Sequence, residues 1–197
     1  VKILITGDSW ASGEWNRNDK GEYNSVPVMN KLLEQDGHEV IVSGNPGGSD
    51  IVSINTATKY SNEVDVIIFY KTPAQRSIRD TSHPDVVKMI KQLFKNGDYD
   101  FDIAITKLDN ATYRSLEELN SRVFLIGGLD KIKQKVDVEY VLPSLIEELI
   151  GTEIPSHFKE WDVDKVLKEY PNYFFPDGMH PNRKAIKHTY NLIKDKI

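Results

Sequence analysis

Apolar and polar residues along this chain fall into short blocks that switch between two periods. Five blocks read as strands. The first ends where Ile3-Leu4-Ile5 gives way to Thr6-Gly7-Asp8-Ser9. A run rich in β-branched residues that stops at turn-forming residues is the pattern of a buried strand. Residues 38–43, 65–70, 122–127 and 136–142 repeat it. The block at 65–70 is apolar almost throughout, which suits a central parallel strand covered on both faces.

Helical spacing fills the gaps between strands. Residues 23–35 bring Val26, Val28, Met29, Leu32 and Leu33 near one side, and Asp36-Gly37 supplies a stop. Residues 51–61 follow Ser49 and Asp50, either of which can cap them. Residues 85–95 read as helix, and so does most of 97–120, with Ile103, Leu108, Leu116 and Leu119 inward. Residues 144–150 and part of 154–170 are helical, and residues 182–197 close the chain with Ala185, Ile186, Tyr190 and Ile193 on one side.

Strands that alternate with helices make an α/β fold, a parallel sheet with helices on both faces. Right-handed crossovers put every strand's carboxyl end on one edge, the edge where open sheets bind ligands. Ser9, Gly47, Thr72 and Gly127 all lie just past strand ends and so share it. The 97–120 stretch is longer than a crossover needs, which predicts a helical insertion. No repeat or linker divides the chain, so residues 1–197 are expected to form one domain.

Composition narrows the chemistry. A net charge of −5 argues against a nucleic-acid partner, and the lysines near the C-terminus are interleaved with acids as on a solvated helix face. The absence of cysteine removes disulfides, thiolate metal sites and a cysteine nucleophile. No apolar run approaches the ~20 residues of a membrane span, and no export signal is visible. The expectation is a soluble chain whose compartment the sequence leaves open, with cytoplasmic and virion-associated as the candidates. No His-x-His or His-Glu-x-x-His pattern occurs, so no transition-metal site is expected. Asp98, Asp100 and Asp102 alternate as in a calcium loop, but Ile103 replaces the required glycine, and a solvated turn is the better reading.

A serine at the end of a first strand is a candidate nucleophile that needs a base, and the base needs an orienting group. Asp177-Gly178-Met179-His180-Pro181 carries both on one loop, with Asp177 and His180 three residues apart. The turn Gly44-Asn45-Pro46-Gly47-Gly48 can aim free backbone N–H groups at a ligand. Trp10, Trp15, Trp161, Tyr173, Phe174 and Phe175 include aromatics near both blocks, able to stack on a sugar or to pack the core.

These blocks, in this order, resemble the SGNH (GDSL-type) hydrolase family. The resemblance implies a three-layer, flavodoxin-like α/β/α fold around a five-stranded parallel sheet, and ester hydrolysis without a cofactor. It implies Ser9 as nucleophile, His180 as base, Asp177 as the residue orienting the imidazole, and the N–H groups of Ser9 and Gly47 as oxyanion donors. The third block departs from the family. Where the family has Gly-x-Asn-Asp, with the asparagine as third donor, this chain has Lys71-Thr72-Pro73-Ala74-Gln75-Arg76. Gln75, Thr72 and Arg76 stand as candidates for that role. The run Gly7-Asp8-Ser9-Trp10, the missing third-block asparagine and Gly127-Gly128-Leu129 after the fourth strand also resemble, more loosely, SGNH-type proteins encoded by tailed bacteriophages. The expected activity is a serine esterase acting on a small or carbohydrate-borne ester, acetyl first. The alternative is a weakened or inactive binding or structural module, such as a virion component.

Overall fold

The computed structural model describes residues 1–17, 20, 23–79, 84, 87–88, 91–92, 101–159, 162–174 and 180–197. Its strands, in chain order, are β1 (Lys2–Gly7), β2 (Glu14–Arg17), β3 (Tyr23–Val26), β4 (Glu39–Gly44), β5 (Val66–Tyr70), β6 (Arg122–Ile126) and β7 (Tyr140–Leu142). Five of them form one parallel sheet in the order β4-β1-β5-β6-β7. The chain thus starts near the middle, moves outward to β4, and returns to build the other side. That is the flavodoxin-like order, and its switch point lies between β1 and β5.

Alternation along each strand builds two cores. Ile3 and Ile5 of β1, Val66 and Ile68 of β5, and Phe124 and Ile126 of β6 face one side. There they meet Met29 and Leu33, Leu145 and Leu149, and Ala185, Ile186 and Ile193 from the helices Met29–Gln35, Leu145–Ile150 and Arg183–Ile193. Leu4, Ile67, Phe69, Val123 and Leu125 face the other side, against Ala57 of the Asp50–Tyr60 helix and Tyr113 and Leu116 of the Phe101–Glu117 helix. Every residue of β5 is buried, so both its faces are covered. Each fully buried side chain of this size contributes roughly 1.5–3 kcal/mol. A one-residue slip of β5 would exchange its two faces, so the register is set by both cores together.

The structure corrects several expectations. Residues 23–35 are not one helix. Tyr23–Val26 pairs antiparallel with Glu14–Arg17 as a separate hairpin, and the helix starts only at Met29. Pro27 explains the break, because it lacks an N–H and pushes Val26 into extended backbone. Ile103 is 43% exposed. The buried stripe of its helix runs through Ala104, Leu108, Thr112 and Leu116, one position on from Ile103. The strand read at 136–142 begins only at Tyr140, because Val136 turns away into the core on the Phe101–Glu117 side. Ser49 occupies the N-cap position of the Asp50–Tyr60 helix without a side-chain cap bond. Residues 154–170 hold two short helices, Ser156–Lys159 and Val163–Glu169. The helix read at 85–95 lies largely outside the described residues. No helix among the described residues is long and apolar enough to cross a membrane.

Candidate active site

β1 ends at Gly7, whose φ of +146° is a conformation that other residues rarely adopt. A β-carbon there would sit 2.6 Å from the Tyr70 carbonyl oxygen and 2.7 Å from the Tyr70 β-carbon. Only glycine lets the first strand turn so close to β5. Gly7→Ala is expected to lower unfolding stability by roughly 2–5 kcal/mol from backbone strain and overpacking together. The urea midpoint measures it, and a variant within 0.5 kcal/mol (roughly the surface-substitution range) would contradict the close approach.

The next residues wind into a tight turn. Asp8 accepts the Trp10 N–H on Oδ1 at 3.0 Å and the Arg76 guanidinium on Oδ2 at 2.6 Å. Burial pushes the Asp8 carboxyl above its ordinary range, against the pull of the Trp10 N–H and Arg76. The Ala11 N–H donates to the Asp8 carbonyl, and the Ser12 N–H to the Ser9 carbonyl. Ser9 is left at the sheet edge with its hydroxyl 2.9 Å from His180 Nε2.

His180 is delivered from the far end of the chain. An antiparallel bridge between Phe174 and Pro181 closes the base of its loop. Asn182 fixes the exit. Its N–H donates to the Tyr173 carbonyl at 2.9 Å, its Nδ2 donates to the Asn172 carbonyl at 2.9 Å, and its Oδ1 caps the Arg183–Ile193 helix at the Lys184 and Ala185 N–H groups. Asp177, Gly178 and Phe175 lie outside the described residues.

Gly47 sits at φ +72° with nothing near its missing β-carbon, in a turn closed by a 2.7 Å bond from the Gly48 N–H to the Asn45 carbonyl. The Asn45 N–H reaches back to the Gly7 carbonyl at 2.8 Å, which ties this turn to the end of β1. Neither the Ser9 N–H nor the Gly47 N–H has a hydrogen-bond partner among the described residues.

The third block divides its candidates. Thr72 is buried, and both its N–H and its hydroxyl donate to Asp50 Oδ1, at 2.8 and 3.1 Å. Arg76 is paired with Asp8. Gln75, half-buried on the Ala74–Arg79 helix, holds its Oε1 buried without a partner, and its side chain makes no hydrogen bond among the described residues. Of the three, Gln75 keeps an unengaged polar group.

Two features escaped the sequence reading. One is the buried cluster around Lys71, whose ammonium lies 3.2 Å from Asp50 Oδ2 and 2.7 Å from Asp109 Oδ1. Burial pulls the Lys71 pKa down, but Asp50 and Asp109 outweigh it and hold the ammonium above the usual lysine range. The cluster joins the start of the Asp50–Tyr60 helix, the turn after β5 and the Phe101–Glu117 helix. Its one local signal is a lysine set directly after a fully apolar strand, where a charge needs a buried counter-ion. The other is the pair of contacts made by Trp15, which the sequence marks only as an aromatic near the site and which the structure sets on the β2–β3 hairpin. Its indole N–H donates to the Ser9 carbonyl at 2.5 Å, and its ring centroid lies 5.3 Å from that of His180.

No family model matches the chain, and no curated protein matches it in sequence. Among solved structures, TesA aligns over 100% of this chain and 97% of its own, at 12% identity and a TM-score of 0.50. A monoethylphosphonate-inhibited structure of the psychrotrophic esterase EstA from Pseudoalteromonas sp. aligns over 99% of this chain and 95% of its own, at 13% identity and a TM-score of 0.47. Together with the strand order, the TesA alignment shows that this chain shares the three-layer α/β/α fold of TesA.

Proposed function

We propose that this protein is an SGNH-type serine hydrolase of carboxylic esters. The observation that carries the reading is the 2.9 Å contact between Ser9 Oγ and His180 Nε2 at the ligand-binding edge of the sheet. A hydroxyl is a weak nucleophile until an adjacent imidazole accepts its proton. In the proposed reaction Ser9 attacks the ester carbonyl while His180 takes the proton and returns it to the departing alcohol. Water then attacks the acyl-enzyme with His180 again as base, freeing the acid. Asp177 is the residue assigned to orient the imidazole. The N–H groups of Ser9 and Gly47, without a partner among the described residues, are the donors assigned to the oxyanion, with the Gln75 amide as third. The substrate proposed is a small or carbohydrate-borne ester, acetyl first.

The test is labelling with a fluorophosphonate probe beside hydrolysis of p-nitrophenyl acetate. Turnover, with an adduct mapped by mass spectrometry to Ser9, is the expected result. Folded protein that neither labels nor turns over would leave a binding module on this fold instead. Gln75→Ala is expected to lower kcat by about 10²–10³ with little change in KM, the usual cost of one oxyanion donor. An unchanged kcat would remove Gln75 from the reaction.

A further inference from the structure

We infer that Trp15 is a positioning residue for the Ser9–His180 pair, held in place by the β2–β3 hairpin. The inference rests on the hydrolase reading and adds to it a residue outside the blocks that carry the family resemblance. Ser9 and His180 stand 171 positions apart and come from unconnected elements, a turn after β1 and a loop before the last helix. A reacting geometry assembled this way needs a contact that references both halves, because a 1 Å misplacement costs about 10²-fold in rate. Trp15 makes that contact. Its Nε1–H holds the backbone carbonyl of Ser9 at 2.5 Å, and its ring lies beside the His180 imidazole at a 32° tilt.

The hairpin is built to present this side chain. It pairs with no strand of the main sheet, and two isolated strands are marginal by themselves, so docking must hold it. Beside Trp15, Glu14 Oε2 accepts Arg183 Nε at 3.0 Å and a second Arg183 nitrogen at 2.9 Å. Arg183 opens the last helix, three residues after His180. The hairpin is therefore fastened to the nucleophile's turn by the indole N–H and to the histidine's side of the molecule by the Glu14–Arg183 pair. Gly13, at φ +115°, turns the chain from the nucleophile segment into β2.

Trp15→Phe keeps a ring beside His180 and removes the N–H. Trp15→Leu removes both. The expected order of kcat on p-nitrophenyl acetate is wild type, then Trp15→Phe, then Trp15→Leu, the last lower by about 10–100-fold with KM within threefold. The rate of fluorophosphonate labelling at Ser9 should fall in the same order, since it uses the same nucleophile without the ester's alcohol group. Wild-type kcat and labelling rate in folded Trp15→Leu would overturn the inference and leave the hydrolase reading standing. A raised KM with unchanged kcat would also overturn it, by making Trp15 a substrate contact. If Trp15→Leu fails to fold, Trp15→Phe decides, and a wild-type labelling rate there overturns the hydrogen-bonded role. Absence of labelling in wild type is the separate failure of the hydrolase reading.

Discussion

Ser9→Ala, His180→Ala and the double variant are each expected to lower kcat on an activated ester by about the same factor, on the order of 10⁴–10⁶. The two side chains act as one unit. Without the imidazole the hydroxyl keeps its proton, and without the hydroxyl the imidazole has no nucleophile to activate. The second substitution therefore removes nothing further. What remains in all three is the catalysis due to binding and backbone oxyanion donors, roughly 10³–10⁴-fold over water. The fold should be retained. Ser9 Oγ has only His180 as a hydrogen-bond partner among the described residues, so its loss costs about 1 kcal/mol or less. Kinetics of the four proteins on p-nitrophenyl acetate, with thermal unfolding as control, make the check. Losses that multiply in the double variant would mean two independent roles and would sink the proposed mechanism.

Lys71→Met carries the largest expected effect on stability, a loss of about 3–5 kcal/mol. The substitution keeps an unbranched chain but strands Asp50, which is 1% exposed. Two Thr72 donors remain on Asp50 Oδ1, and Oδ2 loses its cation. Asp109 has partial access to solvent and loses less. Adding Asp50→Asn should recover much of the loss, because the amide oxygen still accepts from Thr72 and the fully buried charge at Asp50 is gone. The pH dependence has a definite sign. Asp50 and Asp109 raise the Lys71 pKa above its ordinary 10.5, against burial, so the native state holds the proton more tightly than the unfolded chain. That contribution is fully present below pH 10.5 and declines as pH rises through the native value. Wild type should accordingly lose its advantage over Lys71→Met in alkaline solution. Urea titrations across pH measure this, and a neutral-pH deficit under 1 kcal/mol (well below the cost of breaking a buried pair) would show that the cluster is dispensable.

The main sheet was legible because its strands are self-describing. β5 is apolar at all five positions and is bounded by Asp65 and Lys71, so its length and double burial follow from local composition. β1 stops at Gly7 for a reason visible in the residue itself, since a tight turn at a strand end favours glycine. The alternation of strands with helices then set the layers, and placed Ser9, Gly47 and Thr72 on one edge. Where the local pattern satisfied two periods at once, it misled. Val26, Val28 and Met29 fit a helix by spacing, yet Val26 ends a hairpin strand and Pro27 after it separates that strand from the helix at Met29. Ile103 fits an inward face by hydrophobicity, yet the neighbouring elements select the stripe through Ala104 and Leu108.

By itself, then, the sequence determined the strand and helix alternation, the identity of the sheet edge and the residue types gathered there, because these depend on periodicity and turn chemistry within a few residues. Tertiary structure alone decided which of those residues meet. It set the 2.9 Å between Ser9 and His180, engaged Thr72 with Asp50, left the Gln75 oxygen without a partner among the described residues, buried Lys71 between two carboxylates and laid Trp15 against both Ser9 and His180. The physical reason is that each of these contacts joins separate elements, and its geometry is set by how those elements pack against the two faces of the sheet.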